Sequence, residues 1–173
     1  MGLFKRILGI CETRPPADAG CWSFADGKIE ITLARAAELA QPGGAIRLEG
    51  RSLPRRVLVF HGDDGRYHAL PNRCTHVGHR RLDVLPGQGK IRCCSIGQSE
   101  FDYAGGRLAG SAKTSIVPLA VEVDGERLIV ALAPREGDGP IFAANTPVGE
   151  ATSSAPRKSG QSPTDAGNRG RDS

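Results

Sequence analysis

Two Asp-Gly turns, each set between short segments of alternating apolar residues, do most to limit what this chain can fold into. Arg56–His61 and Tyr67–Leu70 flank Gly62-Asp63-Asp64-Gly65-Arg66, and Pro118–Val123 and Arg127–Leu132 bracket Asp124-Gly125-Glu126. Asp-Gly supplies the backbone conformation that a tight hairpin needs, and the period of two on either side turns one face toward a core. Further β-like segments begin at Trp22 and continue through Lys28–Leu33, Ala45–Glu49, Lys90–Cys94 and Glu100–Tyr103, the last followed by a turn at Ala104-Gly105-Gly106. Ala34–Ala40 fits one helical turn, ended by Gln41-Pro42-Gly43-Gly44. Short strands with evenly spaced turns predict a small all-β antiparallel sandwich or barrel. The 23 glycines and 12 prolines among 173 residues suit such a loop-rich domain better than a helical bundle.

The ends read differently from the middle. Residues 1–21 form a leader expected to be flexible, residues 22–133 the domain, and residues 134–173 a tail. In the leader, Leu3, Phe4, Ile7 and Leu8 share one face of a short helix and Lys5 and Arg6 another, so the segment is either a peripheral docking helix or a frayed terminus. It lacks the charge order and cleavage site of a signal peptide, and no run approaches the roughly 20 apolar residues of a membrane helix. The tail is rich in Ala, Gly, Ser, Pro and Thr, with Ile141, Phe142 and Val148 as its larger apolar residues, and is expected to be disordered. A formal charge of +4 with no clustered basic face argues against nucleic acid as a partner. Five unevenly placed cysteines are not a secreted disulfide scaffold. The cytoplasm is the expected location, and there clustered cysteines more often bind metal than one another.

Two loops carry the chemistry. Cys74-Thr75-His76 puts a thiol and an imidazole on one tight turn, with Gly78 allowing close approach. The second loop, Arg92-Cys93-Cys94-Ser95-Ile96-Gly97-Gln98-Ser99-Glu100-Phe101-Asp102, follows a β-like segment and holds two more thiols. Thiolate and imidazole at such spacing suit iron or zinc.

At this point the sequence resembles the Rieske and Rieske-like ferredoxin family, over about Trp22 to Leu132. The family's loops read C-x-H-x-G and C-P-x-H-G-x-x-F-D. Cys74-Thr75-His76-Val77-Gly78 fits the first without a gap, and Phe101-Asp102 closes the second. The resemblance implies a Rieske-like sandwich with two metal-binding loops and a [2Fe–2S] cluster. It also implies an electron carrier, either a ferredoxin working between a reductase and a terminal oxidoreductase or the small redox subunit of a larger oxidoreductase, and not an enzyme by itself.

The second loop departs from the pattern because it has no histidine. Counting back from Phe101 selects Cys94 as the ligand cysteine and puts Gly97 at the histidine; counting forward from Ile91-Arg92 selects Cys93 and puts Ile96 there. The seven-residue interval to Phe101 favours Cys94. Cys74, His76 and Cys94 then fill three positions, and Cys93 is preferred to His79 for the fourth. A fourth thiolate would lower the potential relative to a centre with two histidines. Joint ligation by adjacent cysteines requires a bent backbone, since neighbours on a strand project oppositely. The competing readings are a degenerate scaffold that binds no cluster and serves as an interaction module, and a mononuclear metal site. His61 and His68 are expected at the surface or core edge, Cys11 and Cys21 as ordinary thiols, and Arg80 and Arg81 as either a positive rim or a solvated loop.

Overall fold

A computed structural model of the chain describes residues 8, 10–50 and 53–132. The helix expected over Leu3–Leu8 and the tail expected to be disordered lie, but for Leu8, outside the described residues. Eleven strands follow one another: β1 (Trp22–Ala25), β2 (Lys28–Thr32), β3 (Ala45–Leu48), β4 (Val57–His61), β5 (Tyr67–Pro71), β6 (Leu82–Leu85), β7 (Lys90–Cys93), β8 (Glu100–Asp102), β9 (Arg107–Ala109), β10 (Ala120–Asp124) and β11 (Arg127–Ala131). The predicted helical turn is present as two 3-10 turns, Leu33–Arg35 and Ala37–Leu39. The strands form three antiparallel sheets, ordered β1-β2-β11-β10, β3-β4-β5 and β6-β7-β8-β9. The all-β sandwich expected from the sequence is the fold observed.

Strand β4 explains how two cores fit in so small a domain. Val57, Leu58, Val59 and Phe60 are all fully buried, because both faces of the strand are covered. Val57 and Val59 point to a core shared with Ile29, Ile31, Leu128 and Val130 of the first sheet. Leu58 and Phe60 point the other way, to a core with Leu82, Ile91 and Phe101 of the third. Alternate residues of one strand thus serve opposite layers, which is why it reads as a continuous apolar run.

Cys74 and Cys93 belong to the second of these cores. The third sheet therefore does two jobs: it closes a core, and it carries the second cysteine loop at the β7–β8 connection. The β6 strand, unmarked in the sequence pattern because Asp83 interrupts the apolar run, brings the exit of the first loop into register with the entry of the second. Leu82 pairs directly with Cys93.

The chain before Trp22 is also engaged. Arg14 forms a parallel bridge to Ile46, and the Arg47 N–H donates to the Arg14 carbonyl at 2.9 Å. The backbone N–H groups of Glu12 and Thr13 donate to the Asp83 carboxylate at 2.9 and 2.8 Å. Residues 11–14 are thus laid along β3 and β6.

Candidate metal centre

The first loop joins β5 to β6 and is closed at its neck by the Cys74 N–H donating to the Arg80 carbonyl at 2.8 Å. Its tip turns through Gly78 and His79, at φ of 94° and 44°, and the His79 N–H returns to the His76 carbonyl at 3.2 Å. Glycine takes the first of these angles without strain; histidine at the second carries a side chain in a region that L residues seldom adopt. The second loop joins β7 to β8, with Cys93 N–H donating to the Ser99 carbonyl at 2.8 Å. The loops are tied together by the Cys94 N–H, which donates to the Arg81 carbonyl at 3.0 Å.

This frame brings Cys74, His76 and Cys93 together, their ligand atoms all within 4.8 Å of one another. Cys93 Sγ lies 3.6 Å from His76 Nδ1 and 3.2 Å from Ser95 Oγ. Both thiols are buried, and the imidazole is half-buried. Hydrogen bonding from Cys93 draws the Cys74 thiol down to about 5, against the desolvation of its site and with help from His76. The same hydrogen bond, together with burial, pushes the Cys93 thiol up. The pair thus favours one thiolate and one thiol, and a cation entering between them would displace the remaining proton.

The structure does not bring Cys94 to this group. Its sulfur is bonded to Cys11 and lies 3.4 Å from Asp83 Oδ2. Cys93 is the last residue of β7 and Cys94 the first of the loop, and neighbours at a strand end project to opposite faces. The count from Phe101 favours Cys94, whereas the three donors that the structure brings together include Cys93. Between Cys93 and Phe101 the chain turns at Ser95–Gln98, where Gln98 has φ of 40°, and the β8–β9 register shifts between Glu100 and Phe101. Ile96, which stands at the histidine position when Cys93 is counted as the ligand cysteine, is 61% exposed. Cys11, read as an ordinary thiol, is instead half of a disulfide.

His79 stands outside the three-donor group. Its Nδ1 lies 3.1 Å from the Cys74 carbonyl, which can only accept, so Nδ1 carries the proton and Nε2 the lone pair. Asn72 is fully buried two residues before Cys74; its Oδ1 accepts from the Leu82 N–H at 2.8 Å, while Nδ2 has no partner among the described residues. A buried amide donor without a partner calls for an acceptor, and the sequence carried no sign of it. Of the two arginines read as either a rim or a solvated loop, Arg81 is held by a bidentate ion pair with Glu49 at 2.7 and 2.8 Å. Arg55, Arg56 and Arg73 line an open cavity of about 660 Å³ beside His79. Among the described residues, no helix is long and apolar enough to cross a membrane.

The Rieske [2Fe–2S] domain model matches residues 30–123, more than half the chain. No curated protein matches the sequence significantly. Among solved structures, a chain of the complex of reduced oxygenase and oxidized ferredoxin in carbazole 1,9a-dioxygenase is 18% identical, with a TM-score of 0.51 over 62% of this chain and 95% of that one, a likeness of fold. The ferredoxin of carbazole 1,9a-dioxygenase from Nocardioides aromaticivorans is 25% identical over 53% of this chain and 86% of its own, with a TM-score of 0.45. A quaternary ammonium Rieske monooxygenase is 23% identical over 56% of this chain, with a TM-score of 0.45, and the match spans only 29% of its length. The chain belongs to the Rieske [2Fe–2S] domain family, and a [2Fe–2S] cluster is the cofactor this membership implies.

Proposed function

We propose that this protein is a one-electron carrier whose [2Fe–2S] centre is held by Cys74, Cys93, His76 and His79. The observation that carries the reading is the convergence of Cys74, His76 and Cys93 from two loops onto one buried point. These three residues supply three of the four ligands such a centre needs. Cys94 is engaged with Cys11, so the fourth position falls to His79, the remaining imidazole of the first loop. Its Nδ1–H donation to the Cys74 carbonyl leaves Nε2 free to bind and holds the ring in one tautomer. Two thiolates and two imidazoles restore the donor composition that gives a raised potential, although both imidazoles then come from one loop.

When bound, the centre supplies a reversible one-electron step. The chain contributes the rest. Burial of Cys74 and Cys93 in the second core excludes water from the sulfur side, and the unpartnered Asn72 Nδ2 is available as a hydrogen-bond donor. On the solvent side, Val77 and Ile96 are 81% and 61% exposed at the loop tips. With Arg55, Arg56 and Arg73 to one side, they make a face suited to a redox partner carrying acidic groups, whether a reductase or a terminal oxidoreductase. Disulfides are rare in a reducing cytoplasm, so if that is the location the Cys11–Cys94 pair would stand largely reduced there.

A second reading, a single tetrahedral ion, is favoured by the compactness of the three donors. Anaerobic purification with iron and acid-labile sulfide analysis separates the two, alongside absorption and electron paramagnetic resonance spectra. Equimolar iron and sulfide with a rhombic reduced spectrum is expected. Zinc without sulfide would establish the single-ion site, and a colourless, metal-free protein after reconstitution would leave only an interaction scaffold. His79→Ala should change the spectrum, and an unchanged spectrum would remove His79 from the ligand set.

A further inference from the structure

The face of the strand end opposite Cys93 carries a second group of donors: Cys11, Cys94 and Asp83. All three are buried, and their ligand atoms lie within 4.8 Å of one another. Asp83 is 4% exposed, and among the described residues its partners are the Glu12 and Thr13 N–H groups and the Cys94 sulfur. In the disulfide that sulfur has no proton to give, so its 3.4 Å contact with the carboxylate contains no hydrogen bond. Two amide donors help to hold a buried carboxylate, but they carry no net positive charge to oppose it. A tetrahedral zinc ion, with bonds of about 2.3 Å to sulfur and about 2.0–2.2 Å to oxygen, sets its donors roughly 3.5–3.8 Å apart. Small side-chain shifts would bring these three donors to that spacing.

We propose that Cys11, Cys94 and Asp83 form a second metal site, closed by the disulfide when oxidised and opened by reduction to a thiophilic divalent cation such as Zn²⁺. In the opening step a dithiol reductant passes two electrons and two protons to the Cys11–Cys94 bond and itself becomes a disulfide. The sulfur–sulfur bond breaks to two thiols. The cation then releases both thiol protons to solvent, binds the two thiolates and the carboxylate, and takes a water as its fourth ligand. Cys11, at 7% exposure, is the edge from which reductant and ion arrive. The segment stays in place without the disulfide because Glu12, Thr13 and Arg14 are hydrogen-bonded to Asp83 and β3. The site shares a strand with the Cys74–His76–Cys93 group but no ligand.

The test is metal stoichiometry of the full-length protein under anaerobic conditions. Zn²⁺ is titrated against a chromophoric chelator before and after phosphine reduction, with Co²⁺ charge-transfer bands reporting thiolate ligation. The reduced protein is expected to bind one ion more than the oxidised protein. Cys11→Ser should lose that extra ion, and Cys93→Ser should keep it. Equal stoichiometry in the oxidised and reduced protein overturns the proposal, as does an extra ion that survives Cys11→Ser or disappears with Cys93→Ser. Should Cys11→Ser not fold, the oxidised–reduced comparison, made in both wild type and Cys93→Ser, decides the question alone.

Discussion

Replacing Cys11 by serine removes the covalent tie between the amino-terminal segment and the second loop. The bond joins residues 83 apart, so the loop it closes in the unfolded chain is long, and chain entropy assigns the cross-link about 4.5 kcal/mol at 25 °C. Measured disulfides often deliver less, so a loss of roughly 2–4.5 kcal/mol is expected. For a domain of this size that corresponds to a fall in Tm of roughly 8–20 °C. The assay is urea unfolding of chelator-treated protein followed by near-ultraviolet circular dichroism, with the bond verified by mass spectrometry. Phosphine-reduced wild type should unfold with Cys11→Ser, because the folded contacts at Asp83 survive in both. If oxidised wild type and Cys11→Ser differ by less than about 1 kcal/mol while the bond is intact, the argument from loop closure fails.

Three further outcomes follow from the same geometry. Cys93→Ser should abolish cluster incorporation while Cys94→Ser retains it, read from iron and sulfide content after reconstitution; the reverse result would restore the assignment by spacing from Phe101. Phe101→Ala empties a fully buried position in the core that holds both Cys74 and Cys93, and should cost about 3–5 kcal/mol in chemical denaturation. Hydrogen bonding from Arg81, opposed by desolvation, holds the Glu49 carboxyl below its ordinary value of 4.5. A depressed carboxylate contributes stability above its unfolded pKa and loses it as pH falls through the folded one. The stability gap between wild type and Glu49→Gln should therefore be full near neutrality and close below pH 4.5, as followed by thermal melts.

Much of the first loop was legible because its determinants are local. Cys74, His76 and Gly78 sit on one tight turn, and their spacing alone brings thiol and imidazole together. The hairpin at Asp63-Asp64-Gly65 was legible for the same reason: β4 and β5 pair across it from His61 and Tyr67 to Val57 and Pro71. The second loop was harder. Its spacing to Phe101 points to Cys94, yet the structure sets Cys93 beside Cys74 and His76, and along a strand a slip of one exchanges the two faces.

What the sequence determined by itself is the chemistry available and the fold class. Alternating apolar residues between Asp-Gly turns can bury their faces only in sheets, and two cysteine-bearing loops flanked by strands carry the family's pattern. The choice of Cys93 over Cys94, the pairing of Cys94 with Cys11, and the Asp83 carboxylate beneath them belong to the tertiary structure. They depend on β6 aligning Leu82 with Cys93 and on a segment some 70 residues upstream lying against Asp83. Contacts at that separation leave no periodicity in the sequence, because either partner alone is only a cysteine or an aspartate in an otherwise ordinary stretch.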